Sequence, residues 1–99
     1  YCTFEIDTSM LPMYPGVLEA AQRGVRTGGD ARNRTAVGIR VILADGVDAA
    51  YDIVAFDPQT SGGLLAAVDP AAVAGLTAPG SPFVAIGKVV AGTPGLRLV

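Results

Sequence analysis

The sequence predicts an α+β domain in which short helices pack on one face of a mixed β-sheet. Three observations support this class. Half of the residues are hydrophobic (51%) and only 16% are charged, so the 99-residue chain can bury one core. Strand-like and helix-like segments alternate in the amino-terminal part of the chain. Two further strand-like segments close it, joined by a turn rich in glycine and proline.

Five segments have the pattern of β-strands. Residues 2–6 alternate apolar and polar side chains, as a half-buried strand does, and residues 37–44 are rich in Val, Ile and Leu. Residues 64–68 are continuously apolar, which is typical of a strand covered on both faces, and are predicted to form the central strand. Residues 82–91 and 96–99 are predicted to pair as a hairpin.

Capping residues and helix formers predict three short helices. The first covers residues 17–23 and is followed by Gly24 as the residue after the helix end. The second begins at Asp45 or Asp48 and ends at Ala55, and the third begins at Asp69-Pro70. Residues 26–33 have no periodicity and contain two adjacent glycines. We therefore expect an irregular loop there, with Asn33 as a cap for the element that follows.

The composition argues against several classes of function. A formal net charge of -2 is unfavourable for a domain that binds nucleic acid. Without histidine and with Cys2 as its single cysteine, the chain is poorly equipped for a metal site or a Cys/His nucleophile, and no metal ligand is predicted. Its apolar stretches are shorter than the ~20 residues of a membrane helix, and no leader pattern opens it. We expect a cytoplasmic protein without a membrane partner.

Residues 57–68 contain the most specific motif of the chain, DPQTSGGLLAAV. It is closely similar to the signature of the carboxy-terminal domain of selenophosphate synthetases (selenide, water dikinases), within the superfamily of aminoimidazole ribonucleotide synthetase. Other segments resemble the family in the same order: PGVLEAA at residues 15–21, then Gly28, Gly29 and Asn33, and AIGKVV at residues 85–90. The chain departs from the family's pattern at Thr27 and Asp30 and in its short 69–81 segment.

The resemblance implies that residues 1–99 are a single carboxy-terminal domain, and that an amino-terminal ATP-binding domain is absent from this chain. The full-length enzyme would be a homodimer that makes selenophosphate from selenide, ATP and water with magnesium, releasing AMP and phosphate, for selenium metabolism and selenocysteine biosynthesis. In that family the catalytic groups belong to the amino-terminal domain. The resemblance therefore implies no catalytic residue, no bound cofactor and no activity for this fragment alone. The alternatives are a stand-alone binding or scaffolding domain, or the matching domain of a related ATP-dependent synthetase.

One candidate site is the loop formed by Thr60, Ser61, Gly62 and Gly63. Glycines let backbone N–H groups approach an anion, and the two hydroxyls add donors, so this loop is a candidate for contact with phosphate. No lysine follows it, so it is not a P-loop. The alternative is structural: the glycines permit a turn, and the hydroxyls bond locally.

A second candidate site, formed by Gly28, Gly29, Arg32 and Asn33, would be a lip over the nucleotide. In this interpretation Arg32 or Arg34 supplies positive charge to phosphate oxygens. The alternative is a solvated loop whose arginines keep the domain soluble.

Overall fold

The computed structural model describes residues 1–59 and 62–99, apart from the side chain of Ile39. Within these residues a mixed sheet is accompanied by short helices, which confirms the predicted α+β class. The strands are β1 (Cys2–Ile6), β2 (Val41–Leu43), β3 (Gly87–Ala91) and β4 (Gly95–Leu98). The α-helices are α1 (Val17–Gln22), α2 (Asp30–Val37), α3 (Ala50–Phe56) and α4 (Pro70–Leu76), and single 3-10 turns occupy Thr8–Met10 and Gly38–Arg40.

The described strands lie in the order β2-β4-β1-β3. Strand β1 is antiparallel to β3 and parallel to β4, and β2 is parallel to β4. Because side chains alternate between faces, Phe4 and Ile6 lie on one face, together with their cross-strand neighbours Val89, Leu96 and Leu98. That face of the sheet is apolar.

The opposite face of the sheet carries charged side chains around Glu5, beside apolar ones such as Val90 and Ile42. Glu5 lies there between two cations, with its carboxylate 3.4 Å from the Lys88 ammonium and 3.6 Å from the Arg97 guanidinium. Lys88 is largely exposed on the edge strand β3. These pairs are surface pairs and contribute little to stability.

Helices α1, α3 and α4 lie on the apolar side of the sheet, where they share cavities with its strands. One cavity is lined by α1 and α3 together with Val41 and Leu43 of β2, and another by α4 together with Phe4 and Ile6 of β1. The buried apolar side chains come from both layers and are Ile6, Ala21, Ala50, Phe56 and Leu98. The predicted arrangement of helices on one side of a mixed sheet is therefore found.

The predicted helix boundaries depend on capping groups that the structure contains. Gly24 follows α1 with a positive φ of 82°, as a residue after a helix end often has. An Asp48 carboxylate oxygen accepts from the Ala50 amide at 2.9 Å, and Asp69 accepts from the Ala71 amide at 2.8 Å. Short polar side chains thus begin α3 and α4, because they satisfy amides that have no partner inside the helix.

The predicted hairpin of residues 82–91 and 96–99 is wrong, because β1 lies between β3 and β4. The connection between them passes over the end of β1, where the Thr3 hydroxyl donates to the Thr93 carbonyl at 2.6 Å. A short turn between two apolar segments looks the same whether the strands pair directly or enclose a third. Because β1 lies between β3 and β4, the backbone groups on both of its edges have hydrogen-bond partners.

The predicted central strand is also wrong. Residues 64–68, all of which the structure describes, lie outside the sheet, and Leu64 is 89% exposed. The central position belongs to β1, whose two edges are occupied by β3 and β4. The run instead lines a groove opposite residues 82–89. A continuous apolar run indicates burial but specifies no strand partner.

The predicted loop over residues 26–33 is wrong in its second half, since α2 begins at Asp30. Asn33 lies inside α2 and therefore does not cap the element that follows, as was predicted. The predicted strand at residues 37–44 is correspondingly shorter. Helix α2 has no apolar stripe to reveal it. It is stabilised by charge instead, because Asp30 in its first turn pairs with Arg34 four residues later.

Candidate functional site

The signature loop (residues 57–63) leaves the end of α3 in an extended direction. Asp57 has φ -66° and ψ 121°, and Pro58 behind it cannot continue a helix. Thr60 and Ser61, two of the predicted site residues, lie outside the described residues. Gly62 lies against the Gln59 side chain, since a Cβ on Gly62 would come 2.7 Å from Gln59 Oε1. Among the described atoms, none lies within 4 Å of a Cβ placed on Gly63.

The 28–33 segment is brought to this loop through Gly29. A Cβ on Gly29 would lie 2.5 Å from Cγ of Pro58, closer than side chains approach one another. A Cβ on the adjacent Gly28 would meet no described atom within 4 Å. The 28–33 segment therefore lies against the start of the signature loop, and Gly29 and Pro58 are the point of contact.

Asn33 lies on α2 and reaches the end of α3. Its side-chain amide donates to the Phe56 carbonyl at 2.9 Å. Phe56 is the last residue of α3, so its carbonyl has no partner within that helix. Asn33 thus supplies from another helix the hydrogen bond that a C-cap would provide.

Arg34 joins α2 to α3 through charge and an aromatic ring. Its guanidinium donates to Asp30 at 2.7 Å and to Asp52 at 2.6 Å, and its central carbon lies 4.3 Å from the centroid of the Phe56 ring. Charge-assisted bonds to two carboxylates are stronger than neutral ones. The four-residue spacing to Asp30 is visible in the sequence, whereas the contact with Asp52 requires the tertiary fold. Arg34 is consequently a structural cation.

Arg32 differs from Arg34 in that it points into solvent. Its side chain is exposed, and within residues 1–59 and 62–99 it takes part in no hydrogen bond or ion pair. Of the two arginines predicted to serve phosphate, only Arg32 leaves its guanidinium uncommitted in this part of the chain.

Two carboxylates, Asp30 in α2 and Asp48 just before α3, have a pKa below the ordinary value. The pKa of Asp30 is lowered chiefly by the hydrogen bond from Arg34, with a further contribution from Arg26, although burial acts in the opposite direction. The same bond raises the pKa of Arg34. The pKa of Asp48 is lowered by the Ala50 amide and then by the Gln22 side chain, which donates to it at 2.8 Å. Both acids are ionised at neutral pH.

These lowered pKa values predict a pH dependence of stability. In the unfolded chain these two aspartates take up protons near their ordinary pKa of 3.8, whereas in the folded chain they do so only at lower pH. The stabilisation is therefore fully present above the ordinary pKa, and it is lost as the pH falls through the lowered pKa values of the folded chain. We expect the urea midpoint to be steady between about pH 7 and pH 5 and to fall below about pH 4.

The variant Asp30→Asn checks this assignment, because it removes one of the two titrating groups. Urea denaturation of both proteins across this range should show a shallower acid decline for the variant. An equally steep decline would mean that Asp30 does not contribute to the acid sensitivity.

The described residues contain neither a metal-binding cluster nor a membrane-spanning helix. In the ranges 1–59 and 62–99, no three His, Cys, Asp or Glu side chains are grouped so that they could hold a metal ion. In the same part of the chain, no helix combines the length and apolar character needed to cross a membrane.

Curated proteins similar to this chain are selenide, water dikinases. The chain is 45% identical over 62 residues to the protein from Pseudomonas straminea, 41% over 63 residues to that from Treponema denticola, and 45% over 65 residues to that from Nitratidesulfovibrio vulgaris. The matches cover 63%, 64% and 66% of this chain. The resemblance inferred from the motif is thereby confirmed.

The same matches cover only 17%, 18% and 19% of the relatives, so this chain spans less than a fifth of their length. No protein-family model matches the chain. No solved structure matches it.

Proposed function

We propose that this chain, which resembles selenide, water dikinases over about 63% of its length, is the carboxy-terminal domain of such an enzyme. The enzyme would make selenophosphate from selenide, ATP and water, with magnesium, and release AMP and phosphate. The observation that carries the proposal is the DPQTSGG motif at residues 57–63, together with 41–45% identity to proteins of that name. The small share of the relatives that this chain spans supports a further, ATP-binding domain elsewhere in the polypeptide.

The proposed contribution of this domain is to close the phosphate end of the nucleotide site. Gly62 and Gly63 are exposed, so their backbone N–H groups can reach an anion, and Arg32 extends into solvent from the adjacent lip. The contact between Gly29 and Pro58 holds the lip and the loop side by side. Backbone donors and one guanidinium on neighbouring segments form a suitable surface for phosphate oxygens.

Magnesium would be held by other residues of the enzyme, because the described part of this chain has no grouped carboxylates that fit a metal ion. No general acid or base is assigned to this domain either. We therefore propose that the 99 residues alone release no AMP. We also propose that the full-length form is a cytoplasmic homodimer. Cys2 has a free thiol, which is compatible with a reducing compartment.

The test is the double variant Thr60→Ala/Ser61→Ala in the full-length protein. If the loop hydroxyls contact phosphate, selenide-dependent AMP release should fall by about 10²-fold, the usual cost of losing a donor to a developing charge. Thr93→Ala is the matched control, since Thr93 is an exposed hydroxyl residue in a distant turn whose carbonyl bond to Thr3 is kept.

Two results would contradict the proposal in different ways. Unchanged turnover in a folded double variant would remove the loop from the reaction. Absence of selenide-dependent AMP from the unaltered full-length protein would remove the dikinase assignment itself.

A further inference from the structure

We propose that Asn33 is a positioning residue, which sets the direction in which the signature loop leaves α3. The inference rests on the proposed function, because the loop matters only if it serves the nucleotide. Asn33 would touch neither ATP nor selenide. It acts through Phe56, the residue at which α3 ends and the loop begins.

The hydrogen bond from Asn33 is made where the backbone changes direction. The last bond of α3 runs from the Asp57 amide to the Val54 carbonyl at 3.2 Å, and Asp57 is already extended. The Phe56 carbonyl faces the Asn33 amide at 2.9 Å. An amide side chain from a neighbouring helix therefore holds the first peptide group of the loop.

The next residue of α2 holds α3 against rotation. Arg34 binds the Asp52 carboxylate one turn before the helix end, also reaches the Asp52 carbonyl at 3.4 Å, and covers the Phe56 ring. Its side chain is partly buried, so these bonds compete less with water than an exposed pair does. With α3 held by Arg34, the bond from Asn33 fixes the orientation of the final peptide group.

A third contact continues along the loop, where Pro58 lies against Gly29. Helix α2 and its first flanking residue thus touch positions 52, 56 and 58 in succession. Gly62 and Gly63 follow Pro58 only a few residues later in the sequence. Loss of the Asn33 amide would release the carbonyl end of α3 while leaving the ion pairs in place.

The kinetic test uses Asn33→Ala in the full-length protein. Misplacement of a reacting group by about 1 Å can cost 10²-fold in rate, so we expect kcat for selenide-dependent AMP release to fall between about tenfold and 10²-fold. KM for ATP should change much less, because Asn33 does not contact the nucleotide. Asn33→Gln keeps the amide donor and should restore part of kcat.

Thr35→Ala is the control on the same helix. Among the described atoms, the Thr35 hydroxyl bonds just the Ala31 carbonyl of its own helix, at 3.0 Å, so its removal should leave kcat and KM unchanged. If Thr35→Ala lowers kcat as much as Asn33→Ala does, or if Asn33→Ala raises KM alone, the positioning role is overturned.

Amide hydrogen exchange separates this inference from the proposed function, because it requires no activity. In Asn33→Ala the amide of Asp57, the first residue of the signature loop, which bonds the Val54 carbonyl at 3.2 Å, should exchange at least severalfold faster, while those of β1 stay protected. Asn33→Asp, which keeps the size of the side chain and removes its N–H donor, decides the matter if the alanine variant does not fold.

Unchanged loop exchange in both variants would overturn the positioning role. Faster loop exchange in a full-length protein that releases no AMP would support the positioning role and reject only the dikinase.

Discussion

Replacing Phe56 with alanine is expected to lower the free energy of unfolding by about 3–5 kcal/mol. The Phe56 ring is 6% exposed at the end of α3, and it belongs to a small set of buried apolar side chains. Its removal leaves a cavity that the remaining side chains fill only in part, and it withdraws the aromatic surface beneath the Arg34 guanidinium. A loss of this size is a large share of the stability of a small domain.

Urea denaturation followed by circular dichroism measures this loss. Phe83→Ala is the matched control, because Phe83 is 44% exposed and its truncation should cost far less. Equal losses for the two variants would show that Phe56 is not a core residue. The expected difference would instead identify the junction of α2 with α3 as part of the cooperative fold.

Gly29→Ala is expected to cost about 1–3 kcal/mol, the usual penalty for forcing extra atoms into a closed contact. The new Cβ would lie 2.5 Å from the Pro58 ring, which is rigid and cannot turn aside as a long side chain can. Backbone strain does not contribute, since Gly29 has φ -84° and ψ -13°, which alanine adopts readily. The cost therefore comes from separating the lip from the signature loop.

Gly28→Ala tests this explanation one residue away. A Cβ there meets no described atom within 4 Å, so the variant should be neutral or slightly more stable, through a less flexible unfolded chain. Both variants would be compared by urea midpoint and, in the full-length protein, by selenide-dependent AMP release. Coincident midpoints would contradict the close approach of Gly29 to Pro58.

Features that depend on adjacent residues could be predicted from the sequence. The period-two pattern of residues 2–6 identified β1, and Asp69 identified the beginning of α4; of Asp45 and Asp48, the two candidates for the start of α3, Asp48 makes the capping bond. Such features need only neighbouring side chains and backbone amides, so their physics is contained in a short window. The motif at residues 57–63 is equally local, and the similarity to selenide, water dikinases followed from it.

Helix α2 could not be predicted in this way, because distant partners contribute to its stability. Its hydrophobic pattern is weak, and one of the two carboxylates that hold Arg34 belongs to Asp52 on another helix. The candidate residue Asn33 was identified as part of a lip, but its bond to the Phe56 carbonyl joins positions far apart in the chain. The order of residues along the chain does not indicate which of the distant residues come into contact.

The sequence by itself determined the fold class, the starts of α1, α3 and α4 and the family resemblance, since each depends on residues that are near neighbours along the chain. The tertiary structure alone decided that β1 separates β3 from β4, that residues 64–68 lie outside the sheet, and that Gly29 meets Pro58. Strand partners and helix contacts are chosen by competition among all apolar faces and unsatisfied backbone groups of the folded chain. That competition is settled only when distant segments are brought together.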